Sequence, residues 1–132
     1  MSFESERIAI ESRFKQNWDY FNIPIKFENI DYKPSPGTSF VELYVVDGDT
    51  TIVGLSTTNL HRTVGIISIR VNTPIGTGTR RAKELCDLAT AVFREASFSG
   101  IICRAANVTR IGEIDGWYVH VCTIPFYRDE SF

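Results

Sequence analysis

No stretch of this 132-residue chain stays apolar for more than a few residues, so none reads as a helix that crosses a membrane. The start, Met1-Ser2-Phe3-Glu4-Ser5-Glu6-Arg7, lacks the basic beginning and apolar run of a signal peptide. Basic excess is missing too. Fourteen Lys and Arg stand against 16 Asp and Glu, for a formal net charge of -2 and a pI of about 5.7. That argues against a broad nucleic-acid-binding face. Cysteine is scarce: Cys86, Cys103 and Cys122, with no CxxC among them. An odd count without an export signal points to free thiols in a reducing compartment. Each lies among apolar residues, as suits a small buried hydrophobe.

What is present describes an ordinary globular chain. The composition is 43% hydrophobic, 12% aromatic and 23% charged, unlike a disordered tail or a low-complexity linker. A mass of 14.9 kDa matches one domain, residues 1–132, with enough length for one core. Residues 2–21 read as a helix, with Phe3, Ile10, Phe14, Trp18 and Phe21 near one face and Ser2 as its cap. Glu4 and Glu6 suit the positive end of its dipole, and Pro24 ends the pattern. Residues 22–37 hold Pro24, Pro34, Pro36 and Gly37, but Ile23, Ile25, Phe27 and Ile30 are too apolar for a free linker. An ordered crossover with a short extended piece is expected there.

Strands are expected at 38–46 and 50–56, joined by a hairpin turn at Asp47-Gly48-Asp49, and at 61–72. A second helix is expected at 79–97, with Ala82, Leu85, Cys86, Ala89, Val92, Phe93 and Ala96 on its apolar stripe. Leu88 and Ala91 sit on its flank, where they would widen the core contact or meet another subunit. Ser99-Gly100 closes this helix, and strands follow at 101–109 and 117–126 around a turn at 112–116. The last strand is apolar on both faces. With Phe40, Tyr44, Tyr118 and Ile124, it implies that the second sheet face is also covered, by a partner among other means. The fold class is therefore α+β: a largely antiparallel sheet of about five strands packed against two helices, in one domain.

Chemistry is harder to find. Pro74-Ile75-Gly76-Thr77-Gly78-Thr79-Arg80-Arg81 joins a strand to a helix, where backbone N–H groups can cradle an anion. It is neither a Walker loop nor a dinucleotide fingerprint. Arg80, Arg81 and Lys83 oppose the helix dipole, a conflict that an anion or an acidic partner patch would relieve. A tight turn with solvated arginines is the favoured, plainer reading. His120 and Cys122 share a strand face, and with Cys103 and His61 they suggest a zinc set or a Cys–His pair. The ligand spacings and the nucleophile context are absent, and core or interface packing outweighs both. Asp47 and Asp49 resemble a calcium loop only superficially, and no serine has a nucleophile-elbow context.

The stretch from Arg62 to Arg80 resembles the centre of the phage tail terminator-like proteins. It carries their Arg-x-x-Gly strand at Arg62 and Gly65, then Pro74-x-Gly76-x-Gly78, then an amphipathic helix. Ile23-Pro24-Ile25 with Asn29, and the closing strand from Gly116-Trp117-Tyr118 to Pro125-Phe126, are similar to further segments of that family. The resemblance implies a structural virion protein and no enzyme. It implies a ring, typically hexameric, on the head-proximal end of a long tail tube. The ring stops addition of tube protein and receives head-completion proteins. No cofactor, metal or catalytic residue belongs to that role, and no membrane. DNA would be passing cargo only, and the host cytoplasm would be the place of assembly. Arg62, Gly65, Pro74, Gly76 and Gly78 match the family pattern and read as structural.

A closed ring needs two different, complementary patches. Candidate interface positions are Asp47, Gly48 and Asp49, the loop with Pro74, Gly76, Gly78, Arg80 and Arg81, and Leu88 with Ala91 on the helix flank. Three alternatives stand beside this reading. One is another head–tail connector ring. One is an anion-binding module using Gly76 to Arg81. The last is a small enzyme using His120 with Cys122 or Cys103.

Overall fold

A computed structural model describes residues 2–18, 22–35, 37–53 and 60–131. Helix α1 spans Phe3–Trp18. Ser2 caps it as expected, its Oγ accepting the Ser5 N–H at 3.1 Å. Its buried stripe is Glu6, Ile10, Phe14 and Trp18, one residue per turn. Phe3 is not part of that stripe: it is 54% exposed, and Glu6 takes the inward place. Phe21 and the rest of the expected helix end lie outside the described residues. The Phe14 ring stacks on Trp18 at 5.2 Å and on Phe93 of the second helix at 5.9 Å.

The crossover is ordered. Trp18 Nε1 donates to the Ile23 carbonyl at 3.0 Å, and strand β1 (Ile25–Phe27) runs parallel to strand β2 (Phe40–Val53). This parallel pair makes the sheet mixed, where a largely antiparallel one was expected. Ile23, Ile25 and Phe27 pack on the core, whereas Ile30 is exposed.

Asp47-Gly48-Asp49 is not a hairpin turn. It lies inside β2, where the register against strand β3 (Leu60–Pro74) shifts between Asp47 and Thr50. The extra residues bulge outward and the strand continues. The partner of β2 is therefore β3, and residues 54–56 of the expected returning strand lie partly beyond β2, outside the described residues.

Helix α2 covers Arg80–Phe93 and buries Ala82, Leu85, Cys86, Ala89, Val92 and Phe93, the predicted stripe except Ala96, which lies beyond its end. It ends earlier than 97. Glu95 takes φ +56, which no continuing helix accepts. Ser99-Gly100 does not close the helix but turns between two short strands, β4 (Ser97–Phe98) and β5 (Ile101–Cys103). The expected 101–109 strand is thus split into β5 and β6 (Asn107–Ile114). Asp115-Gly116, both at positive φ, makes a two-residue turn into β7 (Trp117–Ser131), tighter than the expected 112–116.

Among the described residues there are seven strands, where about five were expected, because short pieces at β1, β4 and β5 join the sheet; they run β1-β2-β3-β7-β5-β4, with β6 also on β7. Strand β7 pairs with β3 along its whole length. Its other edge is shared, first by β6 and then by β5. Both helices lie on the face that presents Val41, Leu43, Ile67, Ile69, Cys122 and Ile124, and these join the helix stripes in one core. Gly65 sits in this layer. A Cβ there would stand 2.6 Å from the Phe126 ring and 2.9 Å from the Val46 carbonyl oxygen, so the close packing of β2, β3 and β7 requires glycine.

Candidate interaction surfaces

The loop into α2 owes its glycines to backbone conformation. Gly76 has φ +87 and Gly78 φ +78, and neither is crowded. Thr77 Oγ1 donates to the Pro74 carbonyl at 2.7 Å and tightens the turn. The arginines are answered from within the helix. Arg80 Nε donates to Glu84 at 3.0 Å, and Arg81 reaches the same carboxylate at 3.8 Å. Glu84 thus offsets the charge that an outside anion was invoked to relieve. Gly76, Gly78, Arg80 and Arg81 are exposed and Pro74 is half-buried. Ala91 is exposed, whereas Leu88 is half-buried against the core.

Asp47, Gly48 and Asp49 are exposed on the bulged part of β2. Asp47 pairs with Gly65, nine residues along β3 from Pro74. At about 3.3 Å per residue, this places the bulge roughly 30 Å from the α2 loop. The two predicted patches are not brought together; they occupy opposite ends of the sheet.

Between the bulge and α1 lies a buried cluster of charges. Arg128 and Glu6 are each 1% exposed, with Arg128 Nε donating to Glu6 Oε1 at 2.7 Å. Arg128 Nη1 also donates to Glu130 at 3.2 Å, and the Phe3 ring covers the guanidinium at 4.7 Å. The Asp47 carboxyl lies beside Glu6 from the bulge. Burial and the Asp47 carboxyl push Glu6 up to about 7, against the pull of Arg128. Sequence reading assigned Glu6 to the helix dipole and missed this role. The signal available was its place at i-4 from Ile10 on the buried stripe.

The four residues once grouped as zinc ligands are scattered. His61 pairs with Glu130, whereas His120 pairs with Val71, ten residues along β3 from His61. The pair is on the order of 30 Å apart. Cys103 pairs with Phe126 in β5. The Cys122 thiol points at the Cys86 carbonyl, 3.9 Å away, and the neighbouring Cys86 thiol together with burial pushes it well above the usual thiol range. A raised thiol is a poor nucleophile. Among the described residues no three His, Cys, Asp or Glu gather as a metal set. His120 itself is buried under α2, at the floor of a cavity with Lys83 and Arg110 on its walls.

The sheet face away from the helices has two halves. At one half Phe40 is buried by its own chain, between Tyr32 at 5.4 Å and the edge of Trp117 at 5.0 Å. Beside it Glu42 accepts from Asn72 Nδ2 at 3.1 Å and from the Tyr44 hydroxyl. The other half is bare. Ile102, Tyr127 and Val64 form one row across three strands, and Pro125, Ile66 and Val46 form the next. Val46, Val64, Ile66 and Ile102 are 55%, 44%, 39% and 38% exposed. The Arg62 and Arg104 guanidinium groups rest on the Tyr127 ring at 4.5 and 5.0 Å. Of the residues expected to mark a covered second face, Ile124 instead belongs to the core.

A family model described as "Phage tail terminator protein" matches residues 7–126. The chain belongs to the phage tail terminator family. That family is one of structural proteins, and it places this terminator in the phage tail. No curated protein matches it by sequence. Ten solved chains match its structure. One of these, whose name states no function, superimposes with a TM-score of 0.72 at 19% identity, covering 100% of this chain and 98% of that one. This likeness concerns the fold. Within the terminator the family-pattern residues have visible structural work. Arg62 makes a two-point ion pair with Asp129, at 2.8 and 3.0 Å, that ties β3 to β7. Gly65 admits the Phe126 ring, and Gly76 and Gly78 turn the chain into α2.

Proposed function

We propose that this terminator subunit, acting as one domain over residues 1–132, closes into a homo-oligomeric ring of six copies. The ring sits on the head-proximal end of the tail tube, stops its growth and offers its other surface to a head-completion protein. DNA passes through it as cargo. The observation that carries this reading is the bare apolar patch of Val46, Val64, Ile66 and Ile102 in a member of a tail family. An uncovered patch of this kind marks an interaction site. A heterologous contact needs a second, different patch elsewhere on the subunit. The distance between the β2 bulge and the Pro74–Arg81 loop supports such an arrangement, with Asp47, Gly48 and Asp49 near one contact and the loop and Ala91 near the other.

The test is mass in solution by light scattering, alone and with purified tail tubes. Wild-type protein is expected to form a ring-sized species or to stay on tube ends. Ile66→Asp is expected to remain folded, because the residue points away from the core, and to lose both behaviours. A folded Ile66→Asp protein that still gives full-size rings overturns the interface. A wild-type monomer that ignores tubes overturns the ring.

A further inference from the structure

The cavity above His120 is built from three elements. Strand β7 supplies the imidazole, α2 supplies Thr79, Lys83, Cys86 and Asp87 along one side, and β6 supplies Val108 and Arg110. Its volume is about 520 Å³, within the usual range of a small-ligand pocket. His120 is 2% exposed, and among the described residues neither Nδ1 nor Nε2 has a hydrogen-bond partner. The Tyr118 ring lies beside it at 5.5 Å, and Arg110 donates to the Tyr118 hydroxyl at 3.3 Å.

A buried imidazole with both nitrogens unmet is costly, so the site favours any occupant that supplies partners. The charges on the walls say which kind. Lys83 and Arg110 are cationic, and Lys83 appears in none of the ion pairs among the described residues. Thr79 opens α2 with no side-chain cap, and the positive end of the helix dipole lies at this end. Asp87 is the acid on the cavity wall, and it makes no hydrogen bond to the imidazole. A water could meet one nitrogen but would not offset the charge of the two cations on the walls. An oxyanion accepts from the imidazole N–H and from the neighbouring cations together.

We infer that this cavity is an oxyanion-binding site for a phosphate or carboxylate group, held by His120, Lys83 and Arg110. It lies under α2, away from the bare sheet face, and Thr79 joins it to the loop assigned to the second ring contact, so the subunit alone is the species to test. Binding has a proton linked to it. Burial, Lys83 and Arg110 hold His120 below the usual histidine range when the site is free. A bound anion reverses that pressure. His120 then takes up a proton, and affinity rises as pH falls. The groups facing the imidazole are Lys83, Asp87 and Cys86 from α2, Arg110 from β6 and Tyr118 from its own strand.

The experiment follows the two histidine rings of the full chain by NMR. Inorganic phosphate and acetate are titrated separately, at constant ionic strength against chloride. The expected result is a saturable shift of the His120 signals with His61 unmoved, and tighter binding at pH 5.5 than at pH 8. Phosphate alone saturating points to a phosphate-bearing ligand, and acetate alone to a carboxylate. Lys83→Gln, at an exposed position, is expected to weaken binding about tenfold without disturbing the fold. Shifts that match chloride, that appear equally at His61, or that persist unchanged in Lys83→Gln overturn the inference.

Discussion

Two residues on one strand meet opposite surroundings. At the far end of β7, Arg128 is paired with Glu6 and Glu130, and the Asp47 carboxyl lies beside Glu6. Eight residues earlier, His120 faces Lys83 and Arg110 with no hydrogen bond at either nitrogen. Both side chains are almost fully buried on the helix face of the same sheet. The first cluster finds ion-pair partners within the chain, and these tie α1 to β7. The second is incomplete within the described residues. Burial alone therefore does not say what a polar residue is for. The count of partners does.

Removing the centre of the completed cluster should have the largest effect. Arg128→Met leaves buried carboxyl groups without their cation, and a loss of about 3–5 kcal/mol is expected from denaturant unfolding at pH 7.5. The loss should shrink at pH 5, where Glu6 is protonated. A cost below about 1 kcal/mol would break the contrast between the two ends.

An intermediate effect should come from Glu6→Gln, read as a slope. The carboxyl of Glu6 sits at about 7 when folded, above its ordinary value of 4.5. Between those values the unfolded chain releases the proton and the folded one keeps it. This group's contribution therefore falls as pH rises from about 4.5 to 7, and then levels off. Glu6→Gln should remove that part of the pH dependence, as measured by unfolding free energy across the window. An unchanged slope would assign the pH dependence to other groups.

The smallest effect is expected at the incomplete end. His120→Phe replaces an imidazole that has no partners, so stability should move by no more than about 1 kcal/mol in either direction. A loss as large as that of Arg128→Met would mean that the imidazole is already satisfied in solution, and the two ends would then be alike.

Much of this architecture was legible from spacing. The α2 stripe holds at each of its six positions within the helix, because a 3.6-residue repeat admits one solution. The Ser2 cap and the ordered crossover were legible for equally local reasons. The errors share one cause. Asp47-Gly48-Asp49 carries every local mark of a hairpin, yet pairing with β3 on both sides carries the strand through it as a bulge. Ser99-Gly100 looks like a helix stop, but the stop comes earlier, at Glu95. Glu6 was legible as inward-facing from its place on the α1 stripe, but its partner Arg128 was not, and the bare half of the sheet could not be read, since it depends on which elements lie above it. His120 was legible as buried, but its neighbours were not.

The bulge in β2 has a consequence for how copies of this subunit can meet. Only Val41, Glu42 and Leu43 of β2 take a partner from β1. Beyond them no strand among the described residues pairs with the outer edge of β2 as it runs on toward Val53. Such an edge invites another copy to add a strand and start an open-ended stack. Asp47, Gly48 and Asp49 interrupt that edge with an irregular backbone and two carboxylates. Residues that imitate a turn thus break the regular edge, so that a copy meeting the subunit there would do so through side chains and not by extending the ladder.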